Sequence, residues 1–273
     1  MSYARIELHD IYQSYARPDG GTTEVIKGLS LTLDQPGINM LLGPSGCGKS
    51  TLLRMMGGVR PFGVKTPTSG SITIDGQPCD GAHDDAVTVF QQYANRPDMT
   101  VLENVTFPFT LSLWKRRVPP DQRKKRVDAM LQAVGLTDKR DLYPYALSGG
   151  QNQRVALARA LALQPRILLM DEPFGALDAQ TREEMQQLLV NLYNAQPCTI
   201  VFVTHDVSEA LLLGDRVLVM STQPATIVED FRINQPRPRD HNWLIGANAQ
   251  ALSNKILSRL HATPGAGQVR MSV

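Results

Sequence analysis

The segment Gly43-Pro44-Ser45-Gly46-Cys47-Gly48-Lys49-Ser50 constrains this chain more than any other. It fits the pattern in which a Gly-rich loop leaves a buried strand and opens a helix. Its neighbours supply that context. Ile38 to Leu42 is a continuous apolar run, as expected for a strand covered on both faces. Lys49 to Met56 reads as a helix that Gly57 and Gly58 stop. A structural turn would satisfy the spacing, but it would not require the strand and helix on either side. The glycines let backbone N–H groups wrap around phosphate oxygens, and the helix N-terminus adds partial positive charge. Lys49 is placed to reach β- and γ-phosphates, and the Ser50 hydroxyl to ligate Mg²⁺. Gly43 to Ser50, with Thr51 behind them, are therefore the expected nucleotide cradle.

A strand–helix rhythm surrounds this loop. Ile6, Leu8 and Ile11 lead to a turn at Arg17 to Gly21, and Leu29, Leu31 and Leu33 alternate with polar neighbours. Arg60 to Gly70 reads as a surface loop, and Ser71 to Ile74 as a strand ended by Asp75-Gly76. From about Pro97 to Gln164 the rhythm breaks. Val127, Met130, Leu131 and Val134 lie on one helical face ended by Gly135, and a second helix starts after Ser148 and runs to about Leu163. The rhythm resumes with strands at Ile167 to Met170, Thr199 to Thr204 and Arg216 to Met220. A helical stripe at Met185, Leu188, Leu189, Leu192 and Tyr193 lies between the first two, and a short helix between the last two. Alternation of this kind implies parallel strands joined by crossover helices. The signal fades after Thr222, apart from a last amphipathic helix at Leu252, Ile256, Leu257 and Leu260 and an expected mobile tail, Gly265 to Val273. The resulting division is a nucleotide-binding domain over 1–222, with a core of 1–92 and 165–222 and a helical subdomain of 93–164, followed by an extension over 223–273.

Two further motifs carry chemistry. Asp171 and Glu172 follow the strand Ile167 to Met170, at the end where parallel α/β sheets place their ligands. Asp171 suits a Mg²⁺ site, and Glu172 suits polarising an attacking water. His205 ends the next strand and should enter the same crevice, within reach of a γ-phosphate. Leu147-Ser148-Gly149-Gly150-Gln151 opens the second helix of the insert. Ser148 could simply cap that helix, but the free N–H groups and the glycines also make an anion site. One triphosphate is already held by the first loop, so a second phosphate site points to a head-to-tail dimer with nucleotide at the interface.

Charge and hydropathy exclude other classes. Lys and Arg total 28 and Asp and Glu 26, a net charge of +2, which argues against nucleic-acid binding by bulk charge. No apolar run approaches the 18 or so residues of a membrane span. Met1 to Asp10 lacks a secretory apolar core, and Cys47, Cys79 and Cys198 form neither a zinc pattern nor a disulfide framework. A soluble, unexported chain in a reducing compartment is expected. The basic clusters Lys115-Arg116-Arg117 and Arg123-Lys124-Lys125-Arg126 read as a solvated helix face, with attraction to anionic lipid as the alternative. An alkyl group on Cys47 is expected to block nucleotide by bulk.

In this order and spacing the motifs resemble the nucleotide-binding subunit of an ABC transporter, over roughly Ile6 to Asp240. The resemblance implies an α/β fold: a P-loop NTPase (RecA-like) core with an N-terminal antiparallel β subdomain and an inserted α-helical subdomain. It implies ATP and Mg²⁺ as ligands and ATP hydrolysis as the activity. Tyr15 matches the aromatic that stacks on adenine, with Tyr12 the second candidate. Gln91 matches the glutamine that senses Mg²⁺ and γ-phosphate, so the implied metal ligands are Ser50, Gln91 and Asp171. Asp178, in Gly175-Ala176-Leu177-Asp178, matches the loop that crosses the dimer interface, and His205 matches the switch histidine. Catalysis is thereby assigned to Glu172, His205, Gln91 and Lys49, with Ser148, Gly149, Gly150 and Gln151 contacting the partner's nucleotide. Implied partners are a second copy or near relative, a membrane permease and an external solute-binding protein, at the cytoplasmic face of a bacterial inner membrane, with no nucleic acid.

Asp171 to Asp178 resembles importers more than exporters. Arg216 to Ser221, with Ile227 to Glu229 and Pro236 to Asp240, is similar to the nitrate, sulfonate, taurine and bicarbonate branch. An exporter ATPase, or a soluble ABC ATPase acting on nucleic acid or ribosomes, is the alternative. Three features depart from the family pattern: Asn152 where Gln is common, a long loop at Arg60 to Pro67, and Tyr93 to Asp98 without Leu-Pro-Trp. The last segment should face the membrane partner.

Overall fold

A computed structural model describes residues 3–60 and 64–261. The expected mobile tail and part of the loop after Arg60 lie outside the described residues. The chain opens with a hairpin, β1 (Ile6–Ala16) and β2 (Thr22–Leu33), closed at the expected turn by a bond from the Arg17 N–H to the Gly21 carbonyl. With β4 (Ser69–Ile74) and β5 (Gln77–Pro78) it forms an antiparallel sheet in the order β2-β1-β4-β5.

The second sheet contains β3 (Gly37–Leu42), β6 (Ala86–Val89), β7 (Ile167–Asp171), β8 (Thr199–Thr204), β9 (Arg216–Met220) and β10 (Ile227–Arg232), in the order β10-β9-β3-β8-β7-β6. All neighbours run parallel except β10, which returns antiparallel to β9. Every residue of β3, β7 and β8 is buried, because helices or the other sheet cover both faces.

Side-chain alternation sorts these strands between two cores. Leu41, Leu169, Val201, Val203 and Leu218 point to one face, where they meet α1 (Lys49–Met56) and the inner side of the antiparallel sheet. Met40, Leu42, Met170, Phe202 and Val217 point to the other face. There they meet α5 (Gly149–Leu161), α6 (Ala179–Ala195), α7 (Val207–Leu213) and α9 (Ala247–His261), the last of which follows α8 (His241–Ile245). Between β6 and β7 the regular elements are helical: α2 (Val101–Thr106), α3 (Ser112–Arg117), α4 (Pro120–Ala133), α5 and short 3₁₀ turns. A capping box, Thr100 with Glu103, starts α2.

Register positions the site. Leu42 at the end of β3 lies opposite Thr204 of β8, and Val203 lies opposite Asp171 of β7. The residues that follow these strands therefore emerge side by side at their C-terminal ends: the Gly43 loop, Glu172 and His205.

Candidate active site

Gly48 shows why the loop needs glycine. Its φ is +112°, and a Cβ there would lie 2.9 Å from Val25 Cγ1. The backbone turns at this point into α1, beside a cavity of about 250 Å³. Ser45, Gly46, Gly48, Lys49, Ser50 and Thr51 wall it, together with Glu172, Val25 and Gln223. The Lys49 ammonium is buried and donates to the Gly43 and Pro44 carbonyls, at 2.8 Å each. Ser50 Oγ donates to Asp171 Oδ1 at 2.6 Å. This hydroxyl and carboxylate form a pair of hard oxygen donors that suits Mg²⁺, an ion that keeps waters and takes its remaining ligands from phosphate. No cluster of three His, Cys, Asp or Glu side chains among the described residues could hold a metal without such help.

Glu172 sits at φ +44°, an uncommon conformation for a residue with a side chain. Its N–H donates to the Val203 carbonyl at 3.1 Å, which fixes the turn to β8. Its Oε2 lies 3.2 Å from His205 Nδ1. The bond to His205 holds the Glu172 carboxyl below its ordinary range, against desolvation. The same bond raises His205, again against desolvation. The pair is part-exposed, so solvent screens it. The raised His205 contributes stability that is full below its ordinary pKa and lost as pH rises through the raised one. The depressed Glu172 contributes stability present above its ordinary pKa and lost as pH falls through the lowered one. The Tm gap between wild type and His205→Ala should thus be widest between about pH 4.5 and 6.5 and shrink on either side. A gap that does not vary from pH 4 to 9 would refute the pairing.

Gln91 is exposed on the loop after β6. The Cβ position of Gly175 lies 3.8 Å from Glu172 Oε2 and 3.9 Å from Gln91 Nε2, so carboxylate and carboxamide approach each other across that glycine. A second, polar cavity of about 170 Å³ adjoins Glu172, walled also by Gly175 and His205 and by Arg182, Asp206 and Glu209. Glu209 is fully buried, accepts a bond from Gln186 Nε2 at 3.1 Å, and is pushed by desolvation to a pKa of about 7.

Other expected residues lie elsewhere. Ser148 caps α5 in a full capping box with Gln151, and a Cβ at Gly150 would collide with the Thr181 side chain on α6. None of Ser148, Gly149, Gly150 or Gln151 borders the phosphate cavity of its own chain. Asp178 caps α6 by accepting from the Thr181 N–H, the bond that lowers its pKa. Tyr15 pairs with Thr23, two residues from Val25 in the cavity wall, and packs on the core beside it. Tyr12 instead places its hydroxyl against Gly28. The Cys47 thiol is buried in the core and its pKa is raised by burial, and Cys47 is not among the residues that wall the cavity. The expectation that an alkyl group there would exclude nucleotide by bulk therefore meets a thiol the folded chain shields.

The unusual Asn152 has a local explanation. Asn95 Nδ2 donates to its carbonyl at 2.9 Å and to its Oδ1 at 3.0 Å, while Asn152 Nδ2 reaches the Pro144 carbonyl at 2.9 Å. The loop after Gln91 is thereby tied to the start of α5. Of the basic clusters, Arg117 pairs with Asp84 and Asp85, and Arg123 and Arg126 donate to backbone carbonyls. Sequence reasoning missed Val25 and Gln223. Gln223 Nε2 donates to the Gly46 carbonyl at 2.8 Å, a non-local contact that no motif announces.

Comparison with known proteins shows the family. Residues 26–175 match the ABC transporter family. A nitrate import ATP-binding protein of Synechocystis sp. is 42% identical over 231 residues, covering 85% of this chain and 83% of that protein. A taurine import ATP-binding protein of Roseobacter denitrificans is 40% identical over 228 residues, covering 84% and 82%. Among solved structures, a dimeric ATP-binding cassette in a post-hydrolysis state with ADP and Pi superposes with a TM-score of 0.70 at 31% identity, covering 85% of this chain and 100% of that one.

Proposed function

This chain belongs to the ABC transporter family as an ATP-hydrolysing subunit, and from that premise we propose that it powers uptake of a small anion, such as nitrate, bicarbonate or taurine, through a membrane permease. The observation that carries the mechanism is the convergence of Lys49, Ser50, Asp171, Glu172 and His205 at the C-terminal ends of β3, β7 and β8.

The backbone N–H groups of Ser45 to Thr51 bind the nucleotide phosphates, and Lys49 exchanges its loop carbonyls for β- and γ-phosphate oxygens. Ser50, Asp171 and Gln91 would hold Mg²⁺, which when bound spreads the charge developing on the phosphates. Glu172, an ionised carboxylate, accepts the proton of the attacking water, and His205 orients that carboxylate and faces the γ-phosphate. Tyr15 stacks on adenine. Ser148 to Gln151 of a second copy close the site, which accounts for their standing apart from the cavity of their own chain. Asp178 follows at the same interface.

The permease is proposed to dock beside the loop Tyr93 to Asp98. Large apolar side chains are exposed just before it and within the helical subdomain: Phe90, Leu111, Leu142 and, at 79%, Tyr145. Leu142 is held there by its carbonyl, which accepts the Val101 N–H at 2.8 Å. No helix among the described residues is long and apolar enough to cross a membrane, so attachment through this surface is the proposed route to the cytoplasmic face. An external solute-binding protein completes the proposed assembly.

The test is capture. The tagged Glu172→Gln chain is purified from membranes in mild detergent with ATP and Mg²⁺. A multi-helix permease, with a solute-binding protein, should come with it. Recovery of ribosomes or nucleic acid alone would overturn the transport reading while leaving the ATP chemistry in place.

A further inference from the structure

The segment Pro236 to Asp240 joins β10 to α8 and lies across the far end of α7, the helix that follows His205. Its two arginines are used differently from surface arginines. Arg239 is 8% exposed. Its Nη1 donates to the Leu211 carbonyl at 2.7 Å and the Gly214 carbonyl at 2.6 Å. Its Nε and Nη2 both donate to the Gln235 carbonyl, at 2.9 and 2.6 Å. Arg237 Nη1 donates to the Leu213 carbonyl at 3.3 Å, its Nη2 pairs with Asp215 at 3.0 Å, and its guanidinium lies 4.4 Å over the Tyr193 ring of α6. Trp243 of α8 covers Arg239 at 5.4 Å.

The last carbonyls of a helix have no partner within it, and its C-terminus carries partial negative charge. Here a short helix has both needs met by one strap. At the other end of α7, Asp206 accepts the Ser208 N–H at 2.8 Å and the Glu209 N–H at 3.2 Å, directly after His205. The helix is thus pinned at both termini, and it has no length to absorb a tilt before the histidine. We propose that Arg239 is a positioning residue for hydrolysis: by fixing the C-terminal end of α7 it sets where the His205 ring meets Glu172. This gives the C-terminal extension a role in the reaction. It rests on the reading of Glu172 and His205 given above.

Arg239→Lys keeps a cation at the helix end, but an ammonium cannot span the Leu211, Gly214 and Gln235 carbonyls as a planar guanidinium does. Arg239→Gln removes the charge as well. Each full-length variant is assayed for the ATP dissociation constant and for the single-turnover hydrolysis rate constant per bound ATP with Mg²⁺. The latter does not depend on how much protein is folded. His205→Ala is run beside them. The expected result is a rate constant lowered about tenfold or more in Arg239→Lys, since misplacement of about an ångström costs up to about a hundredfold, with the ATP dissociation constant within about twofold of wild type. If Arg239→Gln does not fold, Arg239→Lys carries the test alone. A rate constant per bound ATP unchanged in Arg239→Lys, while His205→Ala lowers it, would overturn the proposal and leave the site reading intact. An unchanged rate in His205→Ala would overturn both.

Discussion

Replacement of Glu172 by Gln is expected to slow ATP hydrolysis by about 10²- to 10⁴-fold, the range that a positioned general base contributes, with ATP binding retained. The substitution preserves size and leaves a polar oxygen or nitrogen facing His205 Nδ1, now 3.2 Å from Glu172 Oε2. What it removes is the negative charge that accepts the proton of water. That charge is secure at neutral pH, because the bond to His205 lowers the Glu172 pKa. Steady-state turnover and ATP affinity measured on the same preparation separate the two effects. Turnover within about twofold of wild type would remove Glu172 from the mechanism and leave His205 as the only base at that position.

Lys49→Met should act on binding instead. A charge-assisted hydrogen bond is worth about 1.5–3 kcal/mol, so ATP affinity should fall about 10- to 150-fold. The nucleotide-free protein should hardly notice. Lys49 is 4% exposed, its ammonium is held by two neutral carbonyls, and the nearby Glu172 carboxylate acts on it electrostatically. Removing a buried cation whose hydrogen-bond partners are neutral carbonyls offsets the loss of those two bonds. The expected observation is a Tm without nucleotide close to that of wild type, and a much smaller rise in Tm on adding ATP. A large fall in the nucleotide-free Tm would mean that Lys49 is a structural clamp of its own loop.

Much of the fold is legible in the amino-acid sequence. The strand at Ile38 to Leu42 and the helix at Lys49 to Met56 stand within a residue of where the sequence places them, because apolar run, glycine loop and stop signal agree. Thr199 to Thr204 and Arg216 to Met220 coincide for the same reason. β10 gives no clear strand signal, since an edge strand with Glu229, Asp230 and Arg232 lacks the continuous apolar run of its neighbours. At the site, the residues inside motifs are readable and those brought in by the fold are not. Gln223 reaches Gly46 from the loop after the neighbouring strand β9, and Glu209 becomes special only once α6 and α7 bury it. In the Pro236 to Asp240 strap, only the ends of α7 give the two arginines their work.

The most direct test of the central claim, that two copies of this chain share each nucleotide, is the sedimentation of Glu172→Gln with and without Mg²⁺ and ATP. A monomer is expected without nucleotide and a dimer of about twice the mass with it, since the closed state cannot reopen by hydrolysis. A Ser148→Arg change in the same chain should bind ATP yet stay monomeric, because Ser148 is proposed to meet the partner's phosphates and does not border the phosphate-loop cavity of its own chain. A nucleotide-bound Glu172→Gln protein that sediments as a monomer at every concentration would contradict the account.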